Sequence, residues 1–241
     1  LETKEREAAE GSSRGRDISR LEAFSDAVFG FAATLLVVSL EVPRTYPELL
    51  NNLSGFVAFG LSFVALVLIW AGHNAFFRKY GMTDNWTVVL NSLLLFVVLF
   101  YVYPLKFMAS GMVQGMLGFG AKSEGAVTIQ TLDELSSLFA VYGAGFVAVF
   151  GCFVLLHVHA LRSREDLRLT AEETIELRGT ISYYGIYVVV GALSAALALL
   201  GIGVRLAVPG WVYGALGPLC WLNGRRVDRQ LLSVRGPGAS V

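Results

Sequence analysis

The chain has 241 residues, 55% hydrophobic and 16% charged, with a mean hydropathy of +0.60. Soluble domains run nearer about 45–50% apolar and about 25% charged, so a water-soluble globule is excluded and one all-α integral membrane domain is expected. Formal net charge is zero, so the total says nothing of partners, no nucleic acid is expected, and the distribution of charge carries the information.

Residues 1–19 form a charged polar tail without the apolar core of a signal peptide. A spanning helix needs about 20 apolar residues. Six stretches qualify: 21–42, 53–76, 86–109, 135–161, 180–200 and 201–222. The last two are joined by the tight "LLGIGVR" turn. The membrane domain is thus 20–223, followed by a basic tail at 224–241. With the N-terminus inside, fifteen of the nineteen Lys and Arg residues fall on inner segments. Arg44, Lys106, Lys122 and Arg205 fall outside. That asymmetry requires an even number of spans and puts both ends in the cytoplasm.

The first span begins "RLEAFSDAVFGFAATLLVVSLEVP" at Arg20. Between Asp26 and Glu41 lie 14 uncharged residues, about 21 Å of helix against about 30 Å of hydrocarbon. A lone lipid-facing helix would submerge charge, so this span is expected to be central in the bundle. Other spans bring hydrogen-bonding groups to the depth of Asp26. Span two carries "IWAGHNAFF" with Trp70, His73 and Asn74. Span three carries Asn91, and span five Tyr183 and Tyr184. A buried acid needs such partners, which predicts a polar belt of Ser25, Asp26, His73, Asn74 and Asn91. At 100° per residue, Phe31, Leu35 and Val38 form one apolar stripe, with Asp26 about 140° from Phe31. Thr34 and Ser39 flank the stripe, and Glu41 follows at its outer end.

The segment "RLEAFSD", its continuation "AVFGFAATLLVVSLEVP", and "WAGHN" at Trp70–Asn74 resemble the signatures of the lysosomal potassium channel family, transmembrane protein 175, and its prokaryotic relatives. The resemblance implies a six-span unit, single as in prokaryotic members, assembling as a homotetramer in a prokaryotic plasma membrane. It implies passive conduction of monovalent cations, potassium preferred, with no cofactor beyond the permeant ion. The first spans would line the pore, with Phe31, Leu35 and Val38 as hydrophobic rings and Thr34 beside the narrowest. Arg20, Phe24, Ser25, Asp26, Trp70, His73, Asn74 and Asn91 would form the structural signature network. Phe31 departs from the Ile or Leu usual at the innermost ring. An apolar ring gates by dewetting, and an acidic ring such as four copies of Glu41 concentrates cations.

Other readings compete. A proton-coupled secondary transporter would use Asp26 and His73 as a relay. Against it, matched Gly/Pro-broken helices are missing. A membrane enzyme would need HExxH, paired intramembrane carboxylates or a Ser-His-Asp set, and none stands out, so the chain is not expected to be an enzyme. His157 and His159 are about 200° apart on a helix and cannot share a metal. The Gly-rich stretch 117–125 lacks the features of a pore loop and is read as part of an outer loop spanning 110–134. Cys152 and Cys220 read as buried apolar residues. In the cytoplasmic linker 162–179, Thr170 with Glu173 suggests a capping box opening a short helix.

Overall fold

A computed structural model describes residues 19–39, 44–46, 53–117 and 129–235. The main helices are α1 (Arg20–Val38), α2 (Leu53–Tyr80), α3 (Asn85–Leu117), α4 (Leu132–Arg162), α5 (Ala171–Leu199), α6 (Val208–Trp211) and α7 (Leu216–Arg235). No strand occurs among the described residues. The helix starts follow local chemistry. Ser19 accepts from the Glu22 backbone N–H at 3.1 Å, and Glu22 Oε2 accepts from the Ser19 N–H at 2.8 Å. The same reciprocal pair joins Thr170 and Glu173. Such caps are worth about 1 kcal/mol each. The helix that Thr170 opens is not a separate linker helix; it runs unbroken into the fifth span.

Among the described residues, five helices are long and apolar enough to cross a membrane: Arg20–Val38, Gly55–Tyr80, Asn85–Gln114, Leu132–Arg162 and Ala171–Leu199. The third overruns its expected end and takes the first residues of the expected outer loop; Pro104 sits inside it. The expected continuous sixth span at 201–222 is not found. Helix α5 ends in a Schellman motif, with Ile202 N–H donating to Leu197 O and Gly201 N–H to Ala198 O, both at 2.9 Å. Gly201 and Gly203 take φ of +68° and +66°, and Ala207 takes +53°. A Cβ at Gly203 would meet Val208 at 2.6 Å. The chain then rises through a 3₁₀ turn at Val204–Leu206 into a helical rod of α6, a 3₁₀ stretch at Val212–Ala215, and α7. Proline at position 218 has no N–H to bond four residues back, one reason the rod is not α-helical throughout. The basic segment expected as a tail is helical to Arg235.

Packing divides the chain. Helix α4 lies along α5, α3 joins α4 and α2, and α7 packs on α5. Gly143 and Gly191 let α4 and α5 approach closely: a Cβ at Gly143 would sit 2.9 Å from Gly191 O and from Ala195 Cβ. Small residues at such crossings are how membrane helices gain contact without a hydrophobic driving force. Further along the α4–α5 seam, Tyr184 stacks on Phe153 at 4.8 Å, and Tyr183 and Tyr187 hydroxyls meet at 2.8 Å. Tyr184 also reaches α2, where a Cβ at Gly72 would meet its hydroxyl at 2.9 Å.

Helix α1 packs on α2 and α3. Within one chain it is an edge helix, which corrects the expectation that it be central. The short uncharged run of α1 requires cover from lipid over part of its surface, whichever chain supplies that cover.

Candidate functional site

Helix α1 has two unlike faces. Ser25, Phe29, Ala32 and Leu36 are buried, at spacing i, i+4, i+7, i+11. Phe24, Phe31, Thr34, Val37 and Val38 are exposed, Phe31 at 57% and Val38 at 73%. Leu35 sits between the two faces, half-buried against the core. The predicted stripe therefore lies on the exposed side of α1, with Leu35 at its margin. Thr34 Oγ1 is turned back onto Gly30 O at 3.0 Å.

The buried face is tied to the chain by a directed relay of hydrogen bonds. Ser25 Oγ donates to Leu21 O at 2.8 Å, so it accepts from Asn91 Nδ2 at 2.9 Å. Asn91 Oδ1 is then left to accept from His73 Nε2 at 2.7 Å. That puts the His73 proton on Nε2, and Nδ1 has no hydrogen-bond partner among the described residues. His73 packs against the rings of Phe77 at 4.6 Å and Phe29 at 5.4 Å. Ser25, His73 and Asn91 are all buried. Sequence placed these three at one depth on three helices, and the structure joins them.

Two predicted members of the belt lie elsewhere. Asp26 is exposed and accepts from Trp70 Nε1 at 2.7 Å, a direct tie between α1 and α2 outside the relay. Asn74 is half-buried and takes no part in the relay. Asp26 and His73 bond to different partners, so they do not form the relay that the transporter reading needs. Arg20 is exposed at the first position of α1 and makes no ion pair among the described residues.

The far end of α1 is fastened by a residue that sequence reading assigned to an outer segment and nothing more. Lys106 Nζ donates to Ser39 O at 2.5 Å and to Ser39 Oγ at 2.7 Å. A cation on the last carbonyls of a helix satisfies orphan acceptors and suits the helix dipole. Ser39 itself donates to Leu36 O at 2.7 Å. Ser25 to Ser39 is about 21 Å along a helix, and Asn91 to Lys106 about 22.5 Å. Helices α1 and α3 thus run parallel in register, tied at both ends. That equality of spacing, around one lysine inside an apolar run, was the available signal. Glu41 lies outside the described residues, as does most of the stretch 117–125.

At the other end of α3, Asp84 accepts from the Trp86 N–H at 3.1 Å and from Thr87 Oγ1 at 2.5 Å, and meets His159 Nε2 at 2.8 Å. Burial pushes the Asp84 carboxyl up. The Thr87 and His159 hydrogen bonds outweigh it and hold the group below its ordinary value. His157 Nδ1 instead bonds Phe153 O at 2.8 Å, so the two histidines serve separate contacts.

The family profile described as endosomal/lysosomal potassium channel TMEM175 matches residues 20–101, which hold both unlike faces of α1 and the whole relay. A potassium channel of Marivirga tractuosa is 33% identical over 232 residues, covering 91% of each chain. The chain belongs to the TMEM175 potassium channel family. A potassium channel of Chamaesiphon minutus is 29% identical over 210 residues, covering 82% of this chain and 92% of that one. A crystal structure of a variant of the potassium channel MtTMEM175, bound to a nanobody–MBP fusion protein, superposes with a TM-score of 0.78 at 32% identity. It covers 90% of this chain and 96% of that chain. In this TMEM175 member, motif and geometry coincide: "RLEAFSD" and "WAGHN" supply Ser25, Asp26, Trp70 and His73, four of the groups whose hydrogen bonds tie α1, α2 and α3 together.

Proposed function

We propose that this chain is a passive, potassium-conducting channel of a prokaryotic plasma membrane. Four copies assemble with α1 lining a central pore. Each chain crosses the membrane six times, the rod of α6 and α7 making the last crossing, with both ends on the arginine-rich cytoplasmic side. Phe31, Leu35 and Val38 form the apolar constriction, Thr34 lies beside it, and Glu41 attracts cations at the outer mouth.

The observation that carries this reading is the division of α1. One face is bonded and packed to its own chain, and the opposite face leaves Phe31, Thr34 and Val38 exposed. An apolar constriction conducts only when water bridges it, so selectivity rests on the dehydration cost of each ion and is modest. The family relatives named as potassium channels support the cation assigned.

The test is reconstitution in liposomes. A potassium gradient alone drives flux and gives unitary currents, and Asp26→Asn, which keeps an acceptor for Trp70, still conducts. Flux that demands a proton counter-gradient and vanishes in Asp26→Asn overturns the channel reading.

A further inference from the structure

The α5–α7 contact makes a basic groove that the conduction machinery does not use. Asn223 Nδ2 donates to Gly179 O at 3.0 Å, and Val227 packs so tightly on Gly179 that a Cβ there would overlap it. This clamp sets Arg178 on α5 beside Arg226 on α7. The groove between them measures about 450 Å³ and is also lined by Ser182, Asn223 and Gln230. A second hollow of about 310 Å³ adjoins it, lined by Leu222, Arg225, Arg226 and Arg229. Arg226 belongs to both. At 100° per residue, Leu222, Arg225, Arg226 and Arg229 fall within about 100° of one another on α7. All four arginines are exposed, and none forms an ion pair among the described residues, Asp228 of the same helix included.

The apolar residues above the arginines identify the ligand. Leu219, Trp221 and Leu222 are exposed on the turns just before Arg225. The Arg225 guanidinium lies 4.7 Å from the Trp221 ring centroid. Tryptophan of this kind sits at the headgroup level of a bilayer, with apolar residues on one side and cations on the other. A soluble phosphate uses the arginines alone. A phospholipid uses both halves, its acyl chain along Leu219 and Leu222 and its phosphate between guanidinium forks.

We infer that the α5–α7 groove binds the headgroup of an anionic phospholipid through Arg178, Arg226 and Arg229. The site is independent of the proposed pore, and its test reads lipid retention, not current. The full-length chain, purified in detergent, is offered equal amounts of phosphatidylglycerol and phosphatidylcholine, and retained lipid is measured by native mass spectrometry. The wild type retains phosphatidylglycerol with a preference of about tenfold or more. Arg226→Gln with Arg229→Gln brings the preference to within about twofold, Arg226→Lys with Arg229→Lys keeps most of it, and Arg205→Gln leaves it unchanged. Should the glutamine pair fail to fold, the wild-type preference must still fall with rising salt. Equal retention of both lipids, a glutamine pair that keeps the preference, a preference indifferent to salt, or full displacement by excess inorganic phosphate overturns the inference; the last marks a site for a free anion.

Discussion

Asn91 Nδ2 donates to Ser25 Oγ at 2.9 Å with both side chains buried, and through this bond α3 holds the first helix. The bond has no slack. Ser25 has spent its hydrogen on Leu21 O, and Asn91 has its oxygen on His73. Replacing Asn91 with Ala leaves the His73 Nε2–H buried without an acceptor and takes from Ser25 its incoming bond, at about 1–3 kcal/mol. Thermal unfolding in detergent is expected to show that loss. Asn74→Ala, one residue from His73 but outside the relay, is expected to stay within about 0.5 kcal/mol.

The two phenylalanines of α1 make a matched pair. Phe29 is 4% exposed in contact with His73, and Phe31 is 57% exposed. Phe29→Ala is expected to cost about 3 kcal/mol or more. Phe31→Ala is expected to leave the unfolding temperature close to wild type while raising potassium flux, because it removes the bulkiest ring of the proposed constriction. Unchanged flux in a folded Phe31→Ala protein would remove Phe31 from the pore.

Gly145 sits under the ring of Tyr101, and a Cβ there would overlap the ring. Tyr101 cannot easily retreat: it is buried, and its hydroxyl donates to Tyr142 O at 3.0 Å. Gly145→Ala is expected to destabilise by about 1–3 kcal/mol through overpacking. Gly151, on the same helix, has open space where a Cβ would stand, with nothing within 4 Å. Gly151→Ala is therefore expected to be neutral or slightly stabilising, and differential scanning of the two proteins distinguishes them.

Asp84 predicts an acid limb. Its carboxyl is held low in the folded chain. A depressed carboxylate contributes stability above its unfolded value of about 3.9, and that contribution is lost as pH falls through the folded value. Unfolding temperature is expected to drop as pH is lowered below about 4. Asp84→Asn is expected to be less stable at neutral pH and to show a shallower acid limb. Parallel limbs in both proteins would assign the acid sensitivity elsewhere.

Much of the site could be read from residue spacing. Ser25, His73 and Asn91 share a depth because their distances from the span ends agree, and the stripe at Phe31 and Val38 follows from helical periodicity. The capping residue Thr170 was equally legible, since a cap is a local hydrogen-bond pattern. What escaped was tertiary. Hydropathy reports composition, so 201–222 passed as one span although Gly201, Gly203 and Ala207 take positive φ there. Charge showed that α1 needs cover, and could not tell its own helices from those of another copy. Asp26 was expected inside the belt because acids avoid lipid; a single indole N–H outside the relay serves it instead. Tyr183 bonds Tyr187 on its own helix and Tyr184 stacks on Phe153, pairings that depth alone does not reveal.

The Lys106–Ser39 bond, taken with Ser25–Asn91, makes α1 a beam clamped at two points about 21 Å apart. A beam so held cannot swing as a whole without tearing out one anchorage. Between the two anchorages the same face is held by Phe29, Ala32 and Leu36, all buried, while on the other face Gly30 has open room beside it and Thr34 leans on the Gly30 carbonyl. Side chains on that outer face can therefore be exchanged while the helix axis stays where its anchorages put it.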